Sequence, residues 1–269
     1  MKNVLELTDS SGDELVKTLN EQNQFMPRWP WVAAGSIFLF IWGKSLTRNW
    51  YEIVHVLFFA ALGGLIYWVY WRDQLRKLTV LFFELDQPNS DLFSRLASAI
   101  LQVSTTHRLS GIAATSQYAD KRYTAGATAG LQLKPASFSI GQVPGIVTNI
   151  EIPMLKGSKK TLAFFPDRIL AFEGKQVGSI SYKELDAQAQ TTRFVEDGIV
   201  PSDATIIGHT WQYVRNDGGP DRRFANNRQL PLCSYHQLNL SSSRGLDLRL
   251  MASRTNAFDE MIRSLASLR

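Results

Sequence analysis

The chain has little cysteine, no run of like charge and no familiar catalytic motif, and each scarcity excludes a class of protein. Of 269 residues only Cys233 is a cysteine, so no internal disulfide can form and a reducing compartment is the simpler expectation. No stretch of five or more Lys/Arg occurs, and no RRM, KH or zinc-finger pattern accompanies the net charge of +5. With charges this scattered, no nucleic acid is expected as a partner. HExxH, GxSxG, Walker and paired-cysteine patterns are missing, which leaves no starting point for an enzyme and no cofactor to expect. Cys233 and His236 lie three apart. On a strand such residues point to opposite faces, which sets His236 beside Leu238 and Leu240 and argues against a metal site. Neither the strand-to-helix context nor a suitably placed lysine or serine of a phosphate loop fits the glycines of Lys121 to Gly130.

What the chain does have is unevenly placed. The composition is globular, 45% hydrophobic with 20% charged, yet nearly all continuous apolar sequence lies between Trp29 and Trp71. From Ile53 to Trp71 no formal charge occurs, and as a helix this reaches roughly 28 Å, close to a hydrocarbon core. Tyr67, Trp68, Tyr70 and Trp71 close that run and Arg72, Arg76 and Lys77 follow it, as at a membrane interface. The stretch from Trp29 to Gly43 reaches only roughly 22 Å, but Arg28 and Lys44 flank it and Trp29, Trp31 and Trp42 stand near its ends. Two N-terminal transmembrane helices are therefore expected, joined by a short turn from Lys44 to Glu52, with the lipid bilayer as partner.

Arg28, Arg72, Arg76 and Lys77 outnumber Lys44 and Arg48 of that turn, which predicts both termini in the cytosol and a multi-pass inner-membrane protein. The small residues Ala60, Gly63 and Gly64 suit close helix packing, within one chain or in a homo-oligomer. His55, near the start of its span, is assigned no function. The first residues lack the basic region of a secretory signal; Leu5, Leu15, Val16 and Leu19 fit either a short amphipathic helix or a loosely ordered tail.

Beyond Arg72 the period changes. Leu78 to Leu85 reads as a buried strand, a helix carries Leu92, Leu96, Ile100 and Val103, and His107 to Ala113 returns as a strand before a crossing from Lys121 to Gly130. Asn149 to Met154, Leu162 to Phe165, Ile169 to Phe172 and Val177 to Tyr182 are separated by good turn chemistry and predict an antiparallel meander. Thr205 to Val214 continues it, with Ile207, His209, Trp211 and Tyr213 on one face. Leu246, Leu248 and Leu250 then alternate with Asp247 and Arg249, which predicts a sheet with one dry face. Phe258, Met261, Ile262, Leu265 and Leu268 form the apolar side of a last helix. The expected organisation is α+β: a polar tail over 1–28, a two-helix anchor over 29–71, a strand-helix-strand unit over 72–125 and an antiparallel sheet domain over 126–269. A curved sheet closed by a C-terminal helix is analogous in topology to pleckstrin-homology-like (PH-like) domains.

FFPDRILAFEGKQVGSISY, from Phe164 to Tyr182, and VPSDATIIGHTWQYVRNDGGPDRRFANNRQLPL, from Val200 to Leu232, resemble an uncharacterised module of hypothetical bacterial proteins, sometimes found beside membrane helices or zinc ribbons. The resemblance covers roughly Leu78 to Arg269. Such a module brings no established activity, so the resemblance implies a family and no function.

One long connection, Arg215 to Gln229, needs a reason. It holds Arg215, Arg222, Arg223 and Arg228 against Asp217 and Asp221, with Asn226 and Asn227 as further donors. It therefore reads either as a seat for an anionic ligand or protein partner, or as a loop tied down by its own ion pairs with Phe224 as a pin. The functional expectation is a membrane-anchored, non-catalytic cytosolic binding or sensing module. The alternatives are a bacterial defence effector that oligomerises through its two helices and disrupts membranes, and an unrecognised enzyme.

Overall fold

Helices come first in the chain and strands follow, as the switch from continuous apolar sequence to short alternating runs dictates. The computed structural model describes residues 13–24, 27–46, 52–76, 78–117, 123–125, 127, 129–215 and 217–269. Leu5, Lys77, the middle of the turn from Lys44 to Glu52, the side chain of His55, and Lys121 and Arg122 of the crossing lie outside the described residues.

Three helices open the fold: α1 (Asp13–Gln24), α2 (Trp29–Leu46) and α3 (Glu52–Leu75). The first backbone N–H groups of any helix lack partners within it. Here Asp73, 4% exposed and close to the end of α3, accepts from the N–H groups of Arg28 and Trp29 at 2.5 and 2.9 Å, and so caps α2 from the neighbouring helix. The Trp29 ring meets Tyr70 edge to face at 5.9 Å on the same seam.

The expected membrane anchor is corrected here. Among the described residues no helix is long and apolar enough to cross a membrane, so the two transmembrane spans over 29–71, and the multi-pass inner-membrane placement built on them, are not supported. The apolar part of α2 is short. In α3 the described side chains run from Val56 through Gly63, Gly64 and four polar-edged aromatics into Arg72 and Asp73, which dilutes the apolar run.

Two five-membered strand paths carry most of the strands that follow. The first sheet has the order β4 (Ser137–Gly141), β6 (Ile152–Lys156), β7 (Lys160–Phe164), β8 (Arg168–Glu173), β9 (Gln176–Ser181), all antiparallel. The second has the order β10 (Leu185–Val195), β12 (Gln229–Ser242), β13 (Asp247–Ala252), β2 (Leu109–Gln117), β3 (Ala129–Pro135), with β11 (Thr205–Trp211) beside the first half of β12. Edge strand β3 runs through Ala136 into edge strand β4, and β9 runs through a short helical turn, Tyr182–Glu184, into β10. The chain itself therefore closes both sides of a sandwich. The one curved sheet expected from the pattern is two sheets.

Alternation decides what each face meets. In the first sheet Leu155, Leu162, Phe164, Ile169 and Ile180 point inward, towards Leu238, Leu240 and Leu250 of the second sheet. Helices α4 (Gln87–Ser104) and α5 (Asp259–Ser267) complete this core through Leu96, Ile100, Val103, Phe258, Met261 and Leu265. Each such fully buried aliphatic side chain contributes about 2 kcal/mol relative to exposure. The outward neighbours, Met154, Ala163, Leu170 and Val177, are also dry, because Val16 and Leu19 of α1, Phe93 of α4 and the partly buried Leu81 and Phe83 cover them. The first sheet thus has two dry faces where one was expected, which is why its strands read as continuous apolar runs.

Over Asp13–Gln24 the amphipathic reading is the one realised, with Val16 and Leu19 buried. Asn20 of α1 donates to the Val177 carbonyl at 2.9 Å and accepts from the Val177 N–H at 2.8 Å, sealing the edge of β9 as a paired strand would. The expected strand from Leu78 to Leu85 shrinks to β1 (Thr79–Leu81), paired in parallel with β5 (Ile146–Thr148), and Val80 and Phe82 are exposed.

Candidate functional site

Where the two sheets separate, three hairpins and the β2–β3 pair surround a cavity of about 860 Å³. The hairpins need their glycines: Gly174 turns β8 into β9 at φ +60, and Gly245 turns β12 into β13 at φ +105. The floor is apolar, with Leu155, Leu162, Leu246 and Leu250 almost fully buried. The rim carries Lys134, Lys159, Lys160 and Arg249 against Glu173 and Asp247, four cations to two carboxylates. Lys160 holds Glu173 at 3.1 Å. Arg249 reaches only the neutral Thr115 hydroxyl, at 3.2 Å, and Lys134 and Lys159 have no side-chain partner among the described residues. An apolar floor under an excess of cations suits a ligand that is partly apolar and partly anionic.

The long connection from Arg215 to Gln229 is arranged differently. Arg215 grips Asp217 at 2.6 Å, and the Gly219 N–H, before Arg215, lowers the Asp217 carboxyl below its ordinary pKa. Arg223 forks onto Asp221, whose side chain is 5% exposed, at 2.5 Å. Asn227 accepts from the Tyr213 N–H and donates to the Tyr213 carbonyl, while Arg228 bonds Gln212. Phe224 stacks on Tyr213 with centroids 4.0 Å apart. The loop's own Asp217 and Asp221, with Tyr213 and Gln212 just before it, engage four of the six residues singled out as an anion seat, and only Arg222 and Asn226 stand exposed with no hydrogen bond or ion pair among the described residues.

The small residues of α3 do not form the seam with α2. Ala60, Gly63 and Gly64 are exposed, and a Cβ added at either glycine would meet nothing within 4 Å.

Cys233 and His236 part company as strand geometry requires. Cys233 is buried on the outer face of the second sheet with Ile112, Tyr235 and Met251, and burial, reinforced by Glu196, raises its thiol pKa. His236 faces the inner core, where its Nδ1 accepts from the Phe258 N–H at 3.1 Å and its ring lies over Phe258. Burial lowers its pKa and outweighs Asp259 at 3.6 Å, so it rests as the neutral ring. Among the described residues no three His, Cys, Asp or Glu side chains gather to hold a metal.

A second buried network joins Glu196 to both the Arg108 guanidinium and the Tyr235 hydroxyl, each at 2.7 Å. Burial, then the hydrogen bond to Glu196, pushes the Tyr235 hydroxyl far above its ordinary pKa. This network is filled by its own members, with the Arg108 N–H also bonded to Ser253.

Of the crevice residues, sequence reasoning had the Leu246, Leu248, Leu250 alternation but not Lys134, Lys159 or the cavity. The signal available was that alternation, with Arg249 on the opposite register and a Lys-rich hairpin at Lys159 and Lys160. No family model, curated protein or solved structure matches the chain.

Proposed function

We propose that the chain is a non-catalytic binding module whose ligand sits in the crevice between the two sheets. The observation that carries this reading is the cavity itself, at a mouth ringed by hairpin tips, with a dry leucine floor and three rim cations that have no carboxylate partner among the described residues. Its lining includes Lys, Arg, Ser, Glu and Asp but neither histidine nor cysteine, and its one paired acid, Glu173, is held by Lys160. The loop from Arg215 to Gln229 serves in this reading as a rigid connection.

The test is a thermal-shift comparison of the full chain with Leu248→Trp, which fills the crevice. Three probe sets are used: short peptides, fatty acids and nucleotides. A ligand at a concentration 100-fold above its Kd adds about 2.7 kcal/mol. For a chain of this size that raises Tm by about 5–10 °C. The expected result is a rise with one probe set in the wild-type chain and none in the variant. A rise that persists in Leu248→Trp, or no rise with any set, overturns the reading.

A further inference from the structure

The crevice exists because two neighbouring strands stop pairing. Strand β13 runs over Asp247–Ala252 and all of it pairs with β12. Strand β2 runs over Leu109–Gln117, yet its ladder with β13 ends after Ala252–Leu109, Met251–Ser110 and Leu250–Gly111. Beyond Gly111 the register of β2 against β3 shifts between Ile112 and Ala114, so Ala113 is an extra residue. A bulge bends its strand, and here β2 leaves with β3 while β13 stays with β12. Asp247 to Arg249 and the far half of β2 therefore present strand edges to one another without a shared ladder. Ile112, Ala113, Leu248 and Arg249, the residues at this fork, all line the cavity. One side-chain bond spans the fork, from Arg249 to Thr115, and both ends are at the surface side of the sheet.

From this geometry we propose that the fork takes a strand from a partner: an extended acidic peptide lying between β13 and β2. The proposal rests on the crevice being the ligand seat and names what fills it. A strand edge offers N–H and C=O groups in a row that any extended chain can complete, which supplies affinity without sequence preference. Side chains of an inserted strand alternate, one down and one up. The register sets Lys134 across Gly111 from Leu250, so the set that meets Leu155, Leu162, Leu246 and Leu250 also meets Lys134 and the Lys159 hairpin at the rim, while the other set meets Arg249, which bonds Thr115 on the opposite face. Among the described residues these three cations have no carboxylate partner, so the complementary sequence is acidic, with aliphatic residues over the leucine floor. Among the described residues Asp247 is the one unpaired acid on the lining, and it sets the limit on how much negative charge is favoured at that end.

The experiment uses the full chain and four probes. They are a hexapeptide alternating glutamate and valine, the same peptide N-methylated on alternate residues, its lysine-valine counterpart, and dodecanoate. Binding is measured by calorimetry, and backbone exchange by NMR at Leu248, Arg249 and Thr115. The acidic peptide is expected to bind and to slow exchange at those amides. N-methylation, which removes ladder donors, is expected to weaken it by about tenfold or more. The lysine counterpart is expected not to bind, and Lys134→Glu combined with Lys159→Glu to weaken the acidic peptide about tenfold at unchanged Tm. Equal binding of the N-methylated peptide overturns the strand proposal. So does binding of dodecanoate, lost in Leu248→Trp, when the acidic peptide does not bind; that outcome keeps the crevice as a ligand seat and assigns it to an aliphatic anion. If none of the probes binds, both readings fall.

Discussion

Asn227 lays its side-chain amide flat against the backbone of Tyr213, accepting from the N–H at 3.0 Å and donating to the carbonyl at 2.7 Å. The same reciprocal pairing joins Asn20 to Val177, and Asn149 to Phe83 at 3.0 and 2.8 Å. In each case a side chain stands in for a missing strand neighbour and satisfies backbone groups that would otherwise be lost to the ladder. At Tyr213 it fixes where the long loop from Arg215 to Gln229 begins.

Replacing Asn227 by alanine removes two such bonds from a half-buried site, and the Phe224 stack on Tyr213 loses its frame. The expected loss of stability is about 1–3 kcal/mol. Arg222→Ala, which breaks no bond, should stay within about 0.5 kcal/mol. Urea denaturation of the two variants checks the contrast. Equal effects would show that the loop is not held by this amide pair.

That contrast also marks how far the sequence could be read. The helical spacing of Leu96, Ile100 and Val103, the meander from β6 to β9 and the apolar face of α5 all follow from local periods, and the structure has them. The balance of charge in the long loop was legible too, because Asp217 and Asp221 lie close in sequence to the arginines they hold. Lipid as the solvent around α3 was not: the inference rested on the uncharged run from Ile53 to Trp71, whose described side chains, from Val56 on, include two glycines and four Tyr/Trp, and among the described residues no helix is long and apolar enough to cross a membrane. The crevice was invisible for another reason. It depends on where the β2–β13 ladder stops, a long-range register between Gly111 and Leu250 that no local period encodes.

His236 gives the fold a definite acid dependence. Burial lowers its folded pKa below the ordinary value of 6.5, while in the unfolded chain it titrates normally. Between those two values the unfolded state binds more protons, so stability rises with pH. The contribution is complete above about pH 6.5 and is lost as pH falls through the folded pKa. His236→Asn keeps an acceptor near the Phe258 N–H but does not titrate. It is expected to lower Tm at neutral pH and to flatten the decline in Tm below about pH 6.5. Parallel melting curves for the two proteins across that window would show that His236 is not the group responsible.

Asp73 makes a separate, local prediction. Asp73→Ala leaves the first donors of α2, at Arg28 and Trp29, without their cap, at a cost of about 1–2 kcal/mol. The loss belongs to the pairing of α2 with α3 and not to the sandwich core. Amide exchange in the first turn of α2 should therefore accelerate by about tenfold while exchange in β7 and β8 is unchanged. Asp73→Asn retains an acceptor and is expected to recover part of the protection. Uniform acceleration across the whole chain would mean that the helical hairpin and the sandwich unfold as one unit.

Glu196 tests whether a buried polar network acts as a unit. Its side chain is 3% exposed, and both its contacts, Arg108 and Tyr235, meet the same oxygen. Removing only the cation leaves a carboxylate with a phenol as its sole side-chain partner, so Arg108→Ala should cost about 1–3 kcal/mol, reduced from a fully buried pair because Arg108 is 39% exposed. Tyr235→Phe removes one bond to the same oxygen and should cost about 1 kcal/mol. Once Glu196 is replaced by glutamine the charge that needs Arg108 is gone, so Arg108→Ala should cost markedly less in that background. A double-mutant cycle by urea denaturation reads the coupling. Additivity within about 0.5 kcal/mol would show that Arg108 and Glu196 are neighbours without energetic dependence, and that the core beside Cys233 is held by its apolar contacts with Ile112 and Met251.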